Sequence, residues 1–203
     1  MVKNINVGVL GVQGAVSEHL ESMQKALKEK KIPGNVSVVN NEKKLKTVDA
    51  LILPGGESTT ISKSVKKSNL NNVLIKRIKN HDIPVMGTCA GCVILASDIL
   101  DNRTDVVTLN AMSMQVVRNA FGRQKQSFER QIEIKGFENP FNAVFIRAPI
   151  IKKVWSQCTV LSEIDEGIVM AQENEFLGMS FHPELIDDLR VHCYFIDMIT
   201  GYL

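Results

Sequence analysis

Ile83-Pro84-Val85-Met86-Gly87-Thr88-Cys89-Ala90-Gly91-Cys92-Val93-Ile94-Leu95-Ala96 is the stretch on which the fold turns. Ile83 to Met86 is a short apolar run and Val93 to Ala96 is apolar again, so the segment reads as strand, abrupt turn and helix. A residue at the apex of such a turn takes strained backbone angles and projects its side chain clear of the sheet. Its amide and the next one face the start of the helix. Gly87 and Gly91 frame the apex, where a Cβ would collide with the strand or the helix. Cys89 then lies near the positive end of a helix dipole, which favours thiolate over thiol. The pattern is a nucleophile elbow with Cys in place of Ser.

The other cysteines lack that frame. Cys92 falls one turn into the helix and reads as a packing residue, and Cys158 and Cys193 have no motif around them. Cys89-Ala90-Gly91-Cys92 has Cys-x-x-Cys spacing, but it falls inside the glycine-framed elbow and no second Cys or His pair stands beside it, so the usual zinc and thioredoxin-like readings gain no support. Four scattered cysteines without a secretory signal pattern are expected to be free thiols in a reducing cytoplasm.

Working outward, Phe176-Leu177-Gly178-Met179-Ser180-Phe181 reads as a strand that opens into His182-Pro183-Glu184. On an extended chain, residues two apart share a side, and Pro183 is expected to keep the backbone extended. His182 and Glu184 then align as imidazole and carboxylate, the pair that a thiol nucleophile needs for acyl transfer. His19, His81 and His192 have no such setting and read as core or surface histidines. Upstream, the apolar run Ala50-Leu51-Ile52-Leu53 is followed by Pro54-Gly55-Gly56-Glu57-Ser58-Thr59. Two glycines after a buried strand let backbone N–H groups approach a ligand, as an oxyanion hole requires. The same segment also reads as a strand-to-helix turn with Ser58 or Thr59 as N-cap.

Strands and helices alternate through the first half. Asn4 to Leu10, Val36 to Val39, Ala50 to Leu53 and Val85-Met86 read as strands. Val16 to Lys30 reads as a helix with a stripe at Val16, Leu20, Met23 and Leu27, and further helices are expected over Thr59 to Ser68 and Asn71 to Asn80. From Val106 short β runs take over, at Met114 to Val117, Phe128 to Ile134, Val144 to Ile146, Val160 to Glu163 and Ile168 to Gln172, before a final helix from Asp187 to Tyr202. The fold class is therefore α/β: one domain over residues 1–203, with a mostly parallel central sheet flanked by helices and a partly antiparallel C-terminal section. The active groups fall at strand C-termini, where such sheets bind ligands.

Composition fits. A chain of 203 residues with 44% hydrophobic content can bury a substantial core, and no apolar run approaches the roughly 18 residues of a membrane span. Lys and Arg total 24 against 22 Asp and Glu, so no nucleic-acid surface is indicated. The lysines from Lys25 to Lys31 and from Lys43 to Lys46 read as solvated faces.

Pro-Gly-Gly-Glu-Ser, Gly-Thr-Cys-Ala-Gly and His-Pro-Glu, in that order and over this length, resemble a class I (triad) glutamine amidotransferase of flavodoxin-like core. Four further segments narrow the likeness. They are Gly8-Val9-Leu10-Gly11-Val12-Gln13-Gly14 with Glu18-His19, Arg118-Asn119-Ala120-Phe121-Gly122-Arg123-Gln124, Phe145-Ile146-Arg147-Ala148-Pro149, and Phe181-His182-Pro183-Glu184-Leu185. Together they are similar to the glutaminase subunits of pyridoxal 5′-phosphate synthases, essentially from end to end. The resemblance implies hydrolysis of L-glutamine by Cys89, His182 and Glu184, an oxyanion hole at Gly56 and Ala90, and glutamine contacts at Gly56, Glu57, Ser58, Arg118, Ile146 and Arg147. It also implies delivery of ammonia to a TIM-barrel synthase subunit in a hetero-oligomer, with no metal, no cofactor, no nucleic acid and no membrane. Two other readings compete: a flavodoxin-like cysteine hydrolase, whose His often follows the Cys directly where this chain has Ala90, and an amidotransferase serving another synthase. A non-catalytic binding partner would be marked by a lost triad residue, and none is lost.

Overall fold

The computed structural model describes residues 4–67, 70–100, 106–121 and 127–201. Its first half alternates strand and helix: β1 (Ile5–Leu10), α1 (Val16–Glu29), β2 (Gly34–Val39), α2 (Glu42–Leu45), β3 (Ala50–Leu53), α3 (Ser58–Lys67), α4 (Leu70–Lys79), β4 (Val85–Thr88) and α5 (Ala90–Leu95). Strands dominate the second half: β5 (Ala96–Ile99), β6 (Met112–Val117), β7 (Ser127–Ile132), β8 (Phe141–Ile146), β9 (Ile150–Val154), β10 (Thr159–Ile164), β11 (Gly167–Glu173) and β12 (Phe176–Met179). A 3-10 turn at Pro183–Leu185 and α6 (Arg190–Thr200) complete the chain.

The main sheet runs β2-β1-β3-β4-β12-β11-β9-β6-β5, with β10 also paired to β11. From β2 to β12 every pairing is parallel, and this part follows the 2-1-3-4-5 order of flavodoxin-like sheets with β12 in fifth place. Beyond β12 the ladders with β11, β9 and β6 are antiparallel, and β5 pairs parallel to β6. β7 and β8 form a separate antiparallel hairpin. The mostly parallel sheet and the antiparallel C-terminal section agree with the sequence reading.

Strand periodicity divides the core between the two faces. Leu51, Leu53 and Val85 join Leu74 and Ile78 of α4 on one face. Val7, Val9, Ala50, Ile52 and Met86 join Met23 and Leu27 of α1, Phe195 of α6 and Phe145 of β8 on the other. Burial of both faces is why these strands read as near-continuous apolar runs.

Most element bounds shift by only one to four residues from the sequence reading, but the buried face of α1 and three further elements differ in kind. The buried face of α1 is His19, Ser22, Met23, Ala26 and Leu27, with Val16 and Leu20 only partly buried, so the stripe is turned toward His19. β5, β9 and the short α2 were not expected. Leu95 ends α5, and Ala96 is already extended at φ −62° and ψ 153°, so the apolar run continues as strand. β9 buries Ile150 and Ile151 but exposes Lys152 and Lys153, which breaks the alternation that marks a strand. Ser68, Gly122, Arg123, Gln124 and Tyr202, which figured in the sequence reading, lie outside the described residues.

Candidate active site

The C-terminal ends of β3, β4 and β12, three neighbours at the centre of the sheet, converge on one cleft of about 600 Å³, a size suited to a small metabolite. Cys89 follows β4 with φ 47° and ψ −105°, a sparsely populated conformation for a residue with a Cβ. It is held there from two sides: its N–H donates to Met179 O of β12 at 2.8 Å, and its thiol points to Ile146 O at 3.7 Å. The glycine frame has the expected cause. A Cβ on Gly87 would lie 2.6 Å from the Gly91 backbone, and one on Gly91 would lie 2.0 Å from Leu53 O.

His182 and Glu184 meet, but not along an extended chain. β12 ends at Met179, and Pro183 to Leu185 form a 3-10 turn. Proline suits the first position of a helical turn because its φ is preset and no N–H is wasted. Within this turn His182 Nδ1 lies 2.7 Å from Glu184 Oε1, with both side chains buried. The His182 N–H donates to Val144 O at 2.8 Å, so β8 anchors the imidazole's backbone. Burial alone would depress the His182 pKa. The Cys89 sulfur and the Glu184 carboxylate outweigh it and raise it to about 10. For Glu184 too, burial opposes the charged form, yet the facing His19 and the hydrogen bond from His182 hold its carboxyl below the usual range.

The Pro-Gly-Gly loop closes the other wall. Gly55 donates its N–H to Thr88 Oγ1 at 3.0 Å, and a Cβ there would lie 2.3 Å from His182 Cε1. Gly14, with φ +101°, packs so closely that a Cβ on it would sit 1.6 Å from Gly55 O. The cap of α3 is a correction to the sequence reading: Glu57, rather than Ser58 or Thr59, takes the role. Its carbonyl accepts the first helical bond, from Ile61. Its carboxylate accepts from Thr60 N at 3.1 Å, from Thr60 Oγ1 at 2.6 Å and from the Thr59 hydroxyl. Those hydroxyl and amide donors lower the Glu57 pKa to about 2. Ser58 is thereby free to accept from Arg118 Nη1 at 3.3 Å.

The cleft is lined by Gly56, Glu57, Ser58 and Arg118 on one side and by Cys89, Ala90, Ile146, Arg147 and His182 on the other. Every site residue expected from the sequence therefore borders it except Glu184, which stands behind His182. Arg147 has φ 45°, a left-handed conformation between β8 and β9. Gln13, Asn119 and Pro149 also line the cleft. The remaining cysteines are placed as packing residues. Burial pushes the Cys92 thiol strongly upward and raises Cys158 to about 12 and Cys193 to about 11. Sequence reasoning missed His19, whose side chain is fully buried against Thr88 and Glu184. The available signal was a histidine on the buried stripe of α1.

A doubly covered α/β sheet that presents a cysteine at a strained turn, against an imidazole and a carboxylate, defines the class of thiol-dependent acyl-transfer folds. The family model for the SNO glutamine amidotransferase family matches residues 9–201, and the chain belongs to that family. It is 43% identical to the pyridoxal 5′-phosphate synthase subunit PdxT of Methanococcoides burtonii over 96% of this chain and 99% of the relative. It is 45% identical to the PdxT protein of Staphylococcus carnosus over 97% and 96% of the two chains. A crystal structure of a glutamine amidotransferase superposes with a TM-score of 0.84 at 37% identity, covering 95% of this chain and 98% of that one. A glutamine amidotransferase from Thermotoga maritima shares the fold at a TM-score of 0.60 and 15% identity, over 98% of this chain and 94% of that one.

Proposed function

We propose that this chain is a one-domain glutaminase, residues 1–203, that hydrolyses L-glutamine and passes the ammonia to the synthase subunit of a pyridoxal 5′-phosphate synthase. The observation that carries this reading is the juxtaposition of Cys89, at a strained elbow, with the buried His182–Glu184 pair. The full-length likeness to chains named as synthase subunits supports the partner.

In the mechanism, His182 faces Cys89 and, as base, takes the thiol proton when the sulfur attacks. The sulfur attacks the side-chain amide carbon of glutamine, and the negative charge that builds on the carbonyl oxygen is taken by the amides of Gly56 and Ala90. Collapse of this adduct breaks the C–N bond, and His182 gives its proton to the nitrogen, which leaves as ammonia. Water, deprotonated by His182, then cleaves the thioester, releases glutamate and restores the sulfur. Glu184 fixes the tautomer of His182 and stabilises its charged form. The guanidinium groups of Arg118 and Arg147 suit the α-carboxylate of glutamine, with Glu57, Ser58 and Ile146 completing the pocket.

Released ammonia must avoid bulk water, so the partner docks over the mouth of the cleft. It is a TIM-barrel synthase, joined in a hetero-oligomer in the cytoplasm. The Gly11-Val12-Gln13-Gly14 loop borders the site against Gly55 and moves at low conformational cost, which makes glutaminase activity partner-dependent. The test is glutamate release by the purified chain with and without the synthase subunit. Weak release alone and a large increase at saturating partner are expected. Unchanged release, or no complex, would leave a free-standing glutaminase or another amidotransferase.

A further inference from the structure

Behind the triad lies a second group of titratable side chains, closed to solvent. His19 of α1 and His192 of α6 are both 0% exposed. His19 Nε2 stands 3.1 Å from Thr88 Oγ1 and 3.3 Å from Glu184 Oε2, and His19 Nδ1 is 3.4 Å from His192 Nε2. Thr88 Oγ1 in turn accepts the Gly55 N–H. One side chain therefore reaches the carboxylate behind the imidazole, the residue next to the nucleophile and, through Thr88, the glycine loop.

The partners decide where the protons sit. Glu184 Oε2 is buried and receives no in-line hydrogen bond among the described residues, and His192 Nδ1 is likewise buried without a partner. If His19 carried its proton on Nδ1, His192 Nδ1 would be an orphaned N–H donor and Glu184 Oε2 would face the lone pair of His19 Nε2. Both are costly in a dry interior. With the proton on His19 Nε2, the carboxylate faces an N–H dipole. His192 Nε2–H donates to His19 Nδ1, and the unpartnered atom on His192 is only an acceptor lone pair. Burial also lowers the pKa of His19, against the opposing pull of Glu184.

Resting on the glutaminase reading, we propose that His19 is a positioning residue of that reaction: a neutral imidazole whose Nε2–H orients the Glu184 carboxylate and ties it through Thr88 to the nucleophile strand and the glycine loop. The charged and titratable groups around it are Glu184 and His182 from the turn region, His192 from α6 and Glu18 from its own helix. The arrangement makes Glu184 a two-sided clamp, with Oε1 on His182 and Oε2 on His19.

The experiment uses the full chain with the synthase subunit. His19→Leu keeps the volume and removes the donor, while His19→Gln places an amide nitrogen near the position of Nε2. We expect His19→Leu to lower kcat about ten-fold or more with KM for glutamine changed less than about two-fold, because no glutamine contact is touched. Loss of the N–H also raises the proton affinity of Glu184, so the acid limb of the pH profile moves to higher pH, and His19→Gln restores much of both. A folded His19→Leu protein with unaltered kcat and acid limb, or a His19→Gln protein as slow as His19→Leu, overturns the proposal. If His19→Leu does not fold, nitrogen NMR of histidine-labelled wild-type chain decides. The Nε2–H tautomer of His19 at pH 7 is expected, and an Nδ1–H tautomer or an imidazolium refutes it. Absence of glutamate release by the wild-type complex is a separate outcome, which sinks the glutaminase reading and this role together.

Discussion

At the scale of single residues, backbone strain and position separate Cys89 from the other thiols. It alone combines a left-handed φ of 47° with a place on the cleft, while burial opposes ionisation of Cys92, Cys158 and Cys193. A glutamine-analogue electrophile should label Cys89 and spare the others. Cys89→Ala should abolish glutamate release with little change in Tm, and Cys92→Ala should retain activity. Peptide mapping after labelling checks this, and modification centred on Cys92 would refute it. His182 supplies a pH test. Its folded pKa, raised to about 10, exceeds the unfolded value of 6.5. Its stabilising contribution is therefore complete below pH 6.5 and is lost as pH rises through 10, and the acid that protonates ammonia fades over the same upper range. Glu184→Gln removes a charge that favours the imidazolium, so the basic limb of kcat/KM should move to lower pH, with a smaller loss of turnover than in His182→Asn. An unmoved basic limb would argue that Glu184 does not set the protonation of His182.

At the scale of elements, the helix that matters most to the cleft is α3, because Glu57 caps it and Ser58 in its first turn meets Arg118. Glu57→Ala should cost about 1 kcal/mol of stability, the typical worth of a cap, and should raise KM for glutamine more than it lowers kcat. Calorimetry with steady-state kinetics measures both, and an unchanged KM would remove Glu57 from the glutamine pocket. The parallel half of the fold was legible because β1, β3 and β4 are compact, buried runs punctuated by glycine or proline, while the edge strand β2 shows itself by its valines. β5 and β9 were hidden for opposite reasons. β5 continues an apolar run already assigned to a helix, and β9 pairs two buried isoleucines with two exposed lysines. The cap was misjudged because Ser and Thr usually win that position. Here the longer Glu57 side chain reaches round to the next turn's donors.

At the scale of the whole molecule, the triad residues were visible in the sequence because each carries a local frame of glycine or proline. His19 was not, since only tertiary packing brings α1 against Thr88 and Glu184. The same buried imidazoles shape acid stability. The pKa of His192 is lowered to about 3 by burial, with the neighbouring His19 adding to the effect. Between pH 6.5 and about 3 the unfolded chain binds a proton that the folded chain refuses, so stability is present above that window and falls as pH drops through it. Thermal melts should therefore show Tm decreasing from about pH 7 to about pH 5, with a shallower slope for His192→Phe. An identical slope in the variant would mean that other groups carry the acid sensitivity. The position of β12 has a consequence for the growing chain on the ribosome. This strand follows every other described strand in chain order, yet it is inserted between β4 and β11 at the middle of the sheet, where it accepts the Cys89 N–H. Until it arrives, β4 offers an open edge of the kind that recruits other chains, and no imidazole faces the sulfur. A nascent or truncated polypeptide that stops short of this segment is thus both sticky and inert, and glutamine is safe from it until His182 and Glu184 have been added.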